Sequence, residues 1–345
     1  MSLRQQGLKQ IKGDLIIDKS YFATSVSTHK VFDNEKWRSY NALPSAFLVN
    51  GRNTSFKFTV NNKQVNVSQE IELPEVEIIN NMKLVKGGCG SWRNRFKYDV
   101  NASNKKAVVT FTGNFSSQCG EKYLELSLFD DDHYAFFMFK KLWEQVGGVF
   151  NGKLRSQTEM PLQVVKLVTQ GSKPLANIVR DVNKWSNNVM ARQILLTIAA
   201  DYHDKPASEV RGMLAVKSWM ADNGRNADKW VIENGSGLSR IERVTAEGLG
   251  QMLVDAYRGP TMPELMSSLP ILSLDGTLIT RLRETPVSGR AHMKTGSING
   301  VKAVAGYVLD AKNRRNVVVM IVNHAKASSS KNAQDALINW VYQQP

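Results

Sequence analysis

Apolar and polar positions alternate through residues 47–128, and this pattern predicts a region of β-strands. The alternation is clearest in short runs at residues 56–60, 65–67, 76–78, 108–111 and 123–128. Successive side chains of a strand point to opposite faces, so a period of two indicates sheets with one face in a core. Asparagine-rich breaks between the runs are typical of turns.

The spacing changes after residue 132, where apolar positions recur every three or four residues and predict helices. These helices are expected at residues 134–146, 175–182, 188–200, 207–223 and 245–256. The acidic run Asp130-Asp131-Asp132 comes just before the first of them, where negative charge is favourable at a helix N-terminus. The run lacks the glycine and the distal glutamate of a calcium-binding loop.

Both ends of the chain add further elements. Residues 5–11 predict the end of a helix, and residues 13–18 predict a short buried strand. Near the C-terminus, apolar runs at residues 301–309 and 316–322 are separated by a polar break, which predicts two strands joined by a turn. The whole pattern predicts an α+β fold.

Length and charge limit the classes of protein that fit. A chain of 345 residues suggests two or three domains. The net charge of +14 would allow binding to polyanions, but the basic residues are scattered, so we expect a generally basic surface and no nucleic-acid partner. No apolar run approaches the roughly 18 residues of a transmembrane helix, and no signal peptide is visible at the N-terminus.

The cysteines and histidines do not predict a metal site. Cys89 and Cys119 both lie in glycine-rich, strand-like surroundings. They fit either a disulfide formed in an oxidising compartment or two unrelated buried thiols, and both alternatives stay open. The histidines show no metal-binding spacing, so we expect neither a metal nor a cofactor. They are His29, His133, His203, His292 and His324.

Two short motifs carry candidate chemistry. Lys294-Thr295-Gly296, followed by Ser297, comes just before the predicted strand pair and occurs as a triad in serine acyl-transfer enzymes of the penicillin-binding class. About a hundred residues earlier, Ser186 and Asn188 form a Ser-x-Asn at the start of a predicted helix. Taken alone, Ser186 and Asn188 are ordinary helix-capping residues.

The two motifs together favour a functional interpretation. A serine hydroxyl next to a lysine ammonium can relay a proton to a leaving amine, and an asparagine amide can hold a peptide group. A cationic lysine beside a threonine hydroxyl can bind a terminal carboxylate. Between the motifs, residues 233–240 do not match Gly-x-Ser-x-Gly and predict a tight turn before the next helix.

Four segments in order resemble the S13 peptidases, the DacB-type D-alanyl-D-alanine carboxypeptidase/endopeptidases that form class C of the low-molecular-mass penicillin-binding proteins. The segments are GDLIIDKSYF at residues 13–22, Trp185-Ser186-Asn187-Asn188, NGSGLSR at residues 234–240, and Lys294-Thr295-Gly296-Ser297. The resemblance covers essentially the whole chain.

The resemblance implies a serine transpeptidase/β-lactamase-like domain with inserted β-rich domains. We expect the inserted domains in residues 1–132 and the C-terminal part of the penicillin-binding domain in residues 133–345. The family is exported or periplasmic and cleaves peptidoglycan stem peptides, and it is inhibited by β-lactams when its nucleophile is present. By the same resemblance, Ser186, Asn188 and Lys294 are catalytic.

The resemblance also assigns the remaining site residues. Thr295, Gly296 and Ser297 bind the substrate. One of the two oxyanion donors of this enzyme class is the backbone N–H of the residue after the glycine, which is Ser297 here. The other donor belongs to the nucleophilic serine.

The family nucleophile lies in a Ser-x-x-Lys motif upstream of the segment that matches residues 13–22. This spacing occurs here only at Ser27, Ser103 and Ser328, all at the wrong place in the family order, and chance predicts a similar number. We therefore expect this chain to lack the nucleophile and to be inactive unless a separate N-terminal piece completes it. The alternative is a non-catalytic peptidoglycan-binding or regulatory protein, and a weaker third possibility is a basic polyanion binder.

Overall fold

The protein is described by a computed structural model, which covers residues 2–23, 31–157, 163–203 and 205–344. The chain divides into two compact units. Unit 1 comprises Met1–Gln170 and Asp204–Ala207, and unit 2 comprises Gly171–His203 and Ser208–Pro345. Both units combine helices and strands, which confirms the α+β prediction.

Unit 1 is mainly β-structure. Its elements are α1 (Ser2–Gln5), β1 (Gln10–Ile11), β2 (Leu15–Asp18), β3 (Thr54–Asn61), β4 (Gln64–Gln69), β5 (Val76–Val85), β6 (Phe96–Ala102), β7 (Ala107–Ser116), β8 (Lys122–Leu126), α2 (Asp131–Gln145), β9 (Val149–Phe150) and β10 (Leu154–Gln157). Two three-stranded sheets have the orders β4-β3-β8 and β5-β7-β6, and in the second sheet β5 runs parallel to β7.

Phenylalanine side chains form the centre of unit 1. Phe56 and Phe58 alternate on β3, so both point to one face, and both are fully buried. Phe58 meets Phe111 of β7 edge to face, with ring centroids 5.1 Å apart. Burying a side chain of this kind stabilises the fold by about 1.5–3 kcal/mol. The face of β3 that enters the core is therefore apolar, and this produces the alternation seen in the sequence.

Helix α2 belongs to unit 1. The reason is packing, since Tyr134, Phe137 and Met138 join the same core as the phenylalanines of the sheets. The side chain of Asp130 accepts the backbone N–H of His133, which confirms that the acidic run caps this helix. After α2, strands β9 and β10 pair in parallel with β1 and β2.

A disulfide joins Cys89 and Cys119 in unit 1, with Cα atoms 4.6 Å apart. Cys89 follows β5, and Cys119 lies between β7 and β8. The link therefore ties together the segments that leave the parallel pair β5 and β7. No helix in the described residues is long and apolar enough to cross a membrane.

Unit 2 has an antiparallel sheet of order β11-β12-β13. Its strand pair at residues 301–309 and 315–323 lies where the sequence predicts it, and its first four helices lie close to the predicted ranges, whereas the helices at residues 262–268 and 331–342 were not predicted. The elements of unit 2 are α3 (Leu175–Trp185), α4 (Asn188–Tyr202), α5 (Glu209–Asp222), α6 (Ala246–Arg258), α7 (Met262–Ser268), β11 (Ala291–Ile298), β12 (Val301–Leu309), β13 (Arg315–Asn323) and α8 (Lys331–Tyr342).

The two faces of this sheet have different partners. Ala291 and Met293 of β11 pack into a core with Ile338 of α8. Tyr307 of β12 packs with Leu253 of α6 in a second core. Because side chains alternate along a strand, His292 and Lys294 lie on the face that packs against α6.

The polar break between β12 and β13 is a turn organised by Asp310. Burial by itself raises the pKa of this fully buried carboxyl, but the backbone and side chain of Arg314 donate hydrogen bonds to it, as does Lys312 N–H. The net effect is a pKa of about 2. Asp310 therefore holds the turn as a carboxylate at neutral pH.

Candidate active site

Strand β11 sets the position of the Lys-Thr-Gly motif. Its pairing with β12 is continuous, from Ala291 opposite Val308 to Ile298 opposite Val301, so no bulge interrupts the alternation. His292 and Lys294 therefore share one face of the strand. Strands β11 and β12 approach each other closely at Gly306 of β12. Any larger residue would clash there, because a Cβ at this position would lie 2.2 Å from the carbonyl oxygen of His292.

Ser186 lies at the junction of α3 and α4. It is the C-terminal cap of α3 in a left-handed conformation, with φ 53° and ψ 47°, which is uncommon for a residue with a Cβ. The N-terminal cap of α4 is Asn187, whose side chain accepts the N–H of Met190 at 3.0 Å. The side chain that caps the start of α4 is therefore that of Asn187, and the Ser186 hydroxyl does not cap this helix.

The structure brings the two motifs together at Lys294. Its ammonium group donates a hydrogen bond to the Ser186 hydroxyl, and a second one to the Thr295 carbonyl oxygen at 2.8 Å. Burial lowers the pKa of Lys294 to about 8. Near neutral pH the side chain is therefore mostly cationic, yet it can give up a proton more easily than an exposed lysine.

Asn188 is held toward the loop between α5 and α6. Its side-chain amide donates to the Ser236 carbonyl oxygen at 3.2 Å. The buried Asn234 accepts both the N–H and the hydroxyl of Ser236, at 2.9 and 2.6 Å. Glu242 accepts the N–H of Asn234 at 3.0 Å. This loop is therefore a hydrogen-bonded turn, and the roles of Asn234 and Glu242 in it were not predicted.

Among the described residues, no strand pairs with the later part of β11 on the side away from β12. Near its start, the N–H of Met293 points away from β12 and bonds to the Pro270 carbonyl at 2.9 Å. Backbone direction alternates along a strand, so the N–H groups of Thr295 and Ser297 point to the same edge. Gly296 and Ser297 are exposed. An extended peptide could add to this edge as a further strand.

His292 has a structural partner. Its Nδ1 atom lies 3.0 Å from the Met266 carbonyl oxygen, which can only accept, so Nδ1 must carry the proton. Burial lowers the pKa of His292. The sequence assigned this histidine no role, and its contact with α7 supports β11 without reaching the Ser186–Lys294 contact.

None of the Ser-x-x-Lys spacings that the structure describes joins this site. Ser103 lies in the turn between β6 and β7 of unit 1, where its hydroxyl bonds to the Lys106 carbonyl. Ser328 is exposed in a short 3-10 helix before α8. Ser27 lies outside the described residues. In the described ranges, no group of three or more histidine, cysteine or acidic residues could hold a metal ion.

A sheet flanked by helices, with Ser-x-Asn meeting Lys-Thr-Gly at its edge strand, defines the serine transpeptidase fold of penicillin-binding proteins. The sequence profile of the D-Ala-D-Ala carboxypeptidase 3 (S13) family matches residues 1–344. The chain belongs to this family.

Relatives and solved structures agree with this assignment. The chain is 27% identical to D-alanyl-D-alanine carboxypeptidase DacB of Haemophilus influenzae over 93% of its own length and 67% of that protein. It is 24% identical to a D-alanyl-D-alanine carboxypeptidase of an Actinomadura species, over 96% of its own length and 63% of the relative. The chain thus spans about two thirds of the length of these relatives.

The fold is also found in a crystal structure. Penicillin binding protein 4 (dacB) from Haemophilus influenzae superposes with a TM-score of 0.78 at 24% identity, over 99% of this chain and 78% of that one. A second structure of that protein, complexed with a β-lactam, superposes over 99% of this chain and 77% of that one, with a TM-score of 0.73 at 24% identity.

Proposed function

We propose that this chain forms part of a serine D-Ala-D-Ala carboxypeptidase/endopeptidase that acts on peptidoglycan stem peptides in the periplasm. The observation that carries the proposal is the contact between the Lys294 ammonium group on β11 and the Ser186 hydroxyl. Family membership supports the reaction class, and the names of the relatives support the substrate.

Each side chain has a chemical task in this proposal. Lys294 and Thr295 bind the terminal carboxylate of the peptide. A hydrogen bond between the lysine ammonium group and a carboxylate is stronger than one between neutral groups. Asn188 holds the peptide group, and the Ser297 N–H stabilises the oxyanion. Ser186 relays a proton between Lys294 and the leaving amine. The low pKa of Lys294 suits both binding and proton transfer near neutral pH.

Binding of a D-Ala-D-Ala peptide tests the carboxylate site directly. We expect a peptide with a free terminal carboxylate to bind more tightly than its amide, because a hydrogen bond between charged groups contributes about 1.5–3 kcal/mol. Replacement of Lys294→Met should abolish the preference. Titration calorimetry measures both. Equal binding of acid and amide to the unaltered chain would contradict the proposed function.

Acylation is a separate question. We propose that these 345 residues alone do not supply the nucleophile, since no Ser-x-x-Lys in the described residues lies on a helix beside Ser186. We expect no stable adduct when the 345-residue chain is treated with fluorescent penicillin. A covalent adduct would show that a serine of this chain attacks after all. When the nucleophile is present, we expect β-lactams to bind, as one does in the Haemophilus complex.

A second candidate function is non-catalytic binding of peptidoglycan. The observation that favours it is the contact of Lys294 with Ser186 and with the Thr295 carbonyl oxygen in a chain whose sequence has no Ser-x-x-Lys at the family position. The DNA upstream of Met1 separates the two functions. An in-frame Ser-x-x-Lys there supports the peptidase, and its absence supports the binding protein.

A further inference from the structure

A buried lysine lies two residues before Ser186 and takes no part in the proposed proton relay. Lys184 is only 5% exposed, although it lies in the last turn of the amphipathic helix α3. Its ammonium group donates to Asp275 Oδ2 at 2.6 Å and to the Leu269 carbonyl oxygen at 2.6 Å. Because the group is enclosed by protein, it cannot touch a substrate.

Asp275 continues the connection to β11. Its other oxygen, Oδ1, accepts the N–H of Ile271 at 2.7 Å. The segment around Ile271 pairs with β11 on the edge opposite β12, through Pro270 O to Met293 N–H and Leu272 N–H to Ala291 O, both 2.9 Å. Lys294 is the next residue after Met293. A hydrogen-bonded path therefore runs from the last turn of α3 to the strand that carries Lys294.

Close packing supports the same connection. The side chain of Asn183 donates to the fully buried Ser268 hydroxyl at 2.7 Å. Gly276, next to Asp275, has φ +55°, and a Cβ there would lie 2.8 Å from the Lys184 carbonyl oxygen. The segment at residues 268–276 thus packs tightly against the last turn of α3, which is followed directly by Ser186.

We propose that Lys184 and Asp275 are positioning residues that hold the Ser186 hydroxyl against Lys294. The proposal rests on the function assigned to the Ser186–Lys294 pair. Ser186 joins two helices through a left-handed residue, so its position depends on how α3 is anchored. A displacement of about 1 Å is enough to impair a catalytic arrangement. A buried ion pair beside Ser186 would prevent such a displacement.

The protonation of Lys294 reports on this arrangement without requiring activity. Competitive labelling with trace acetic anhydride across a pH range, followed by peptide mass spectrometry, yields the midpoint for Lys294, which we expect near 8 in the unaltered chain. In Lys184→Met and in Asp275→Asn, a loosened α3 should let water reach Lys294. We expect both midpoints to rise, by about one pH unit or more, toward the ordinary lysine value of about 10.4.

The two variants separate positioning from simple electrostatics. Loss of a nearby positive charge raises a lysine pKa and loss of a negative charge lowers it, so an electrostatic effect would move the two midpoints in opposite directions. Lys184→Arg keeps the charge and should restore much of the original midpoint. Unchanged midpoints in both folded variants, or shifts of opposite sign, would overturn the proposal.

A matched control comes from a second ion pair of unit 2 whose cation is buried. Arg281, 7% exposed, pairs with Asp335 of α8. Arg281→Met should lower the melting temperature but leave the Lys294 midpoint in place. If Lys184→Met does not fold by circular dichroism, Asp275→Asn and the milder Ser268→Ala carry the test with the same expected rise. The two proposals can fail separately. If the variants shift the Lys294 midpoint as expected but the unaltered chain does not bind the peptide, only the proposed function is contradicted.

Discussion

Lys294 shows how burial changes the chemistry of a single residue. An exposed lysine stays charged throughout the physiological range, whereas burial lowers the pKa of Lys294 to about 8. Its ammonium group is still held by the Ser186 hydroxyl and the Thr295 carbonyl. In the proposed function, the same side chain can therefore serve as a cation for binding and as an acid for proton transfer within a narrow pH range.

This pKa predicts how peptide binding depends on pH. Lys294 is charged below its pKa, so its attraction for a terminal carboxylate should be full well below pH 8 and should be lost as the pH rises through 8. Titration calorimetry of the D-Ala-D-Ala peptide between pH 6.5 and 9.5 measures the midpoint, with the peptide amide as a control that should not respond. A midpoint near 10 would contradict the role of burial.

At the scale of elements, the approach of β12 to β11 controls the geometry of the site. Gly306 is opposite Met293 in the register, and a Cβ there would also lie 2.7 Å from the Cα of Met293. β11 carries Lys294 on one face and the core residue Met293 on the other. A shift of this strand would therefore disturb stability and the site together.

Gly306→Ala should separate β11 from β12. We expect the substitution to lower the free energy of unfolding by about 1–3 kcal/mol, as overpacking does, and to weaken peptide binding. Gly250→Ala in α6 is the matched control, because the nearest atom to its new Cβ is 4.0 Å away. That control should be neutral or slightly stabilising. Thermal unfolding and calorimetry measure both effects, and equal behaviour of the two variants would contradict the argument.

At the scale of the whole molecule, the chain divides into two units. The core of unit 1 contains the phenylalanines, helix α2 and Cys119. The core behind β11 contains residues of unit 2 only. The disulfide between Cys89 and Cys119 belongs entirely to unit 1, while the candidate site belongs entirely to unit 2.

Removal of the disulfide should therefore affect one unit. In the double variant Cys89→Ala and Cys119→Ala, we expect unit 1 to lose about 2–4 kcal/mol of stability, because the unfolded chain becomes less constrained. The Lys294 labelling midpoint should remain near 8. Proteolysis followed by mass spectrometry locates the loss, and the prediction fails if cleavage increases mainly within unit 2.

The sequence alone determined the features that depend on neighbouring residues. Periodicity located the strand Val301–Leu309 and the helix Asn188–Tyr202 closely, because the rise and twist of an element repeat over a few residues. The short motifs and their order identified the S13 family and pointed to Ser186 and Lys294.

Only the tertiary structure decided which distant residues meet. It showed that the side chain of Asn187, and not that of Ser186, caps α4. It also brought Ser186 into contact with Lys294, which is 108 positions away in the sequence. It also assigned α2 to unit 1 and paired Lys184 with Asp275. These outcomes depend on how elements pack and on what becomes buried, and local periodicity contains neither kind of information.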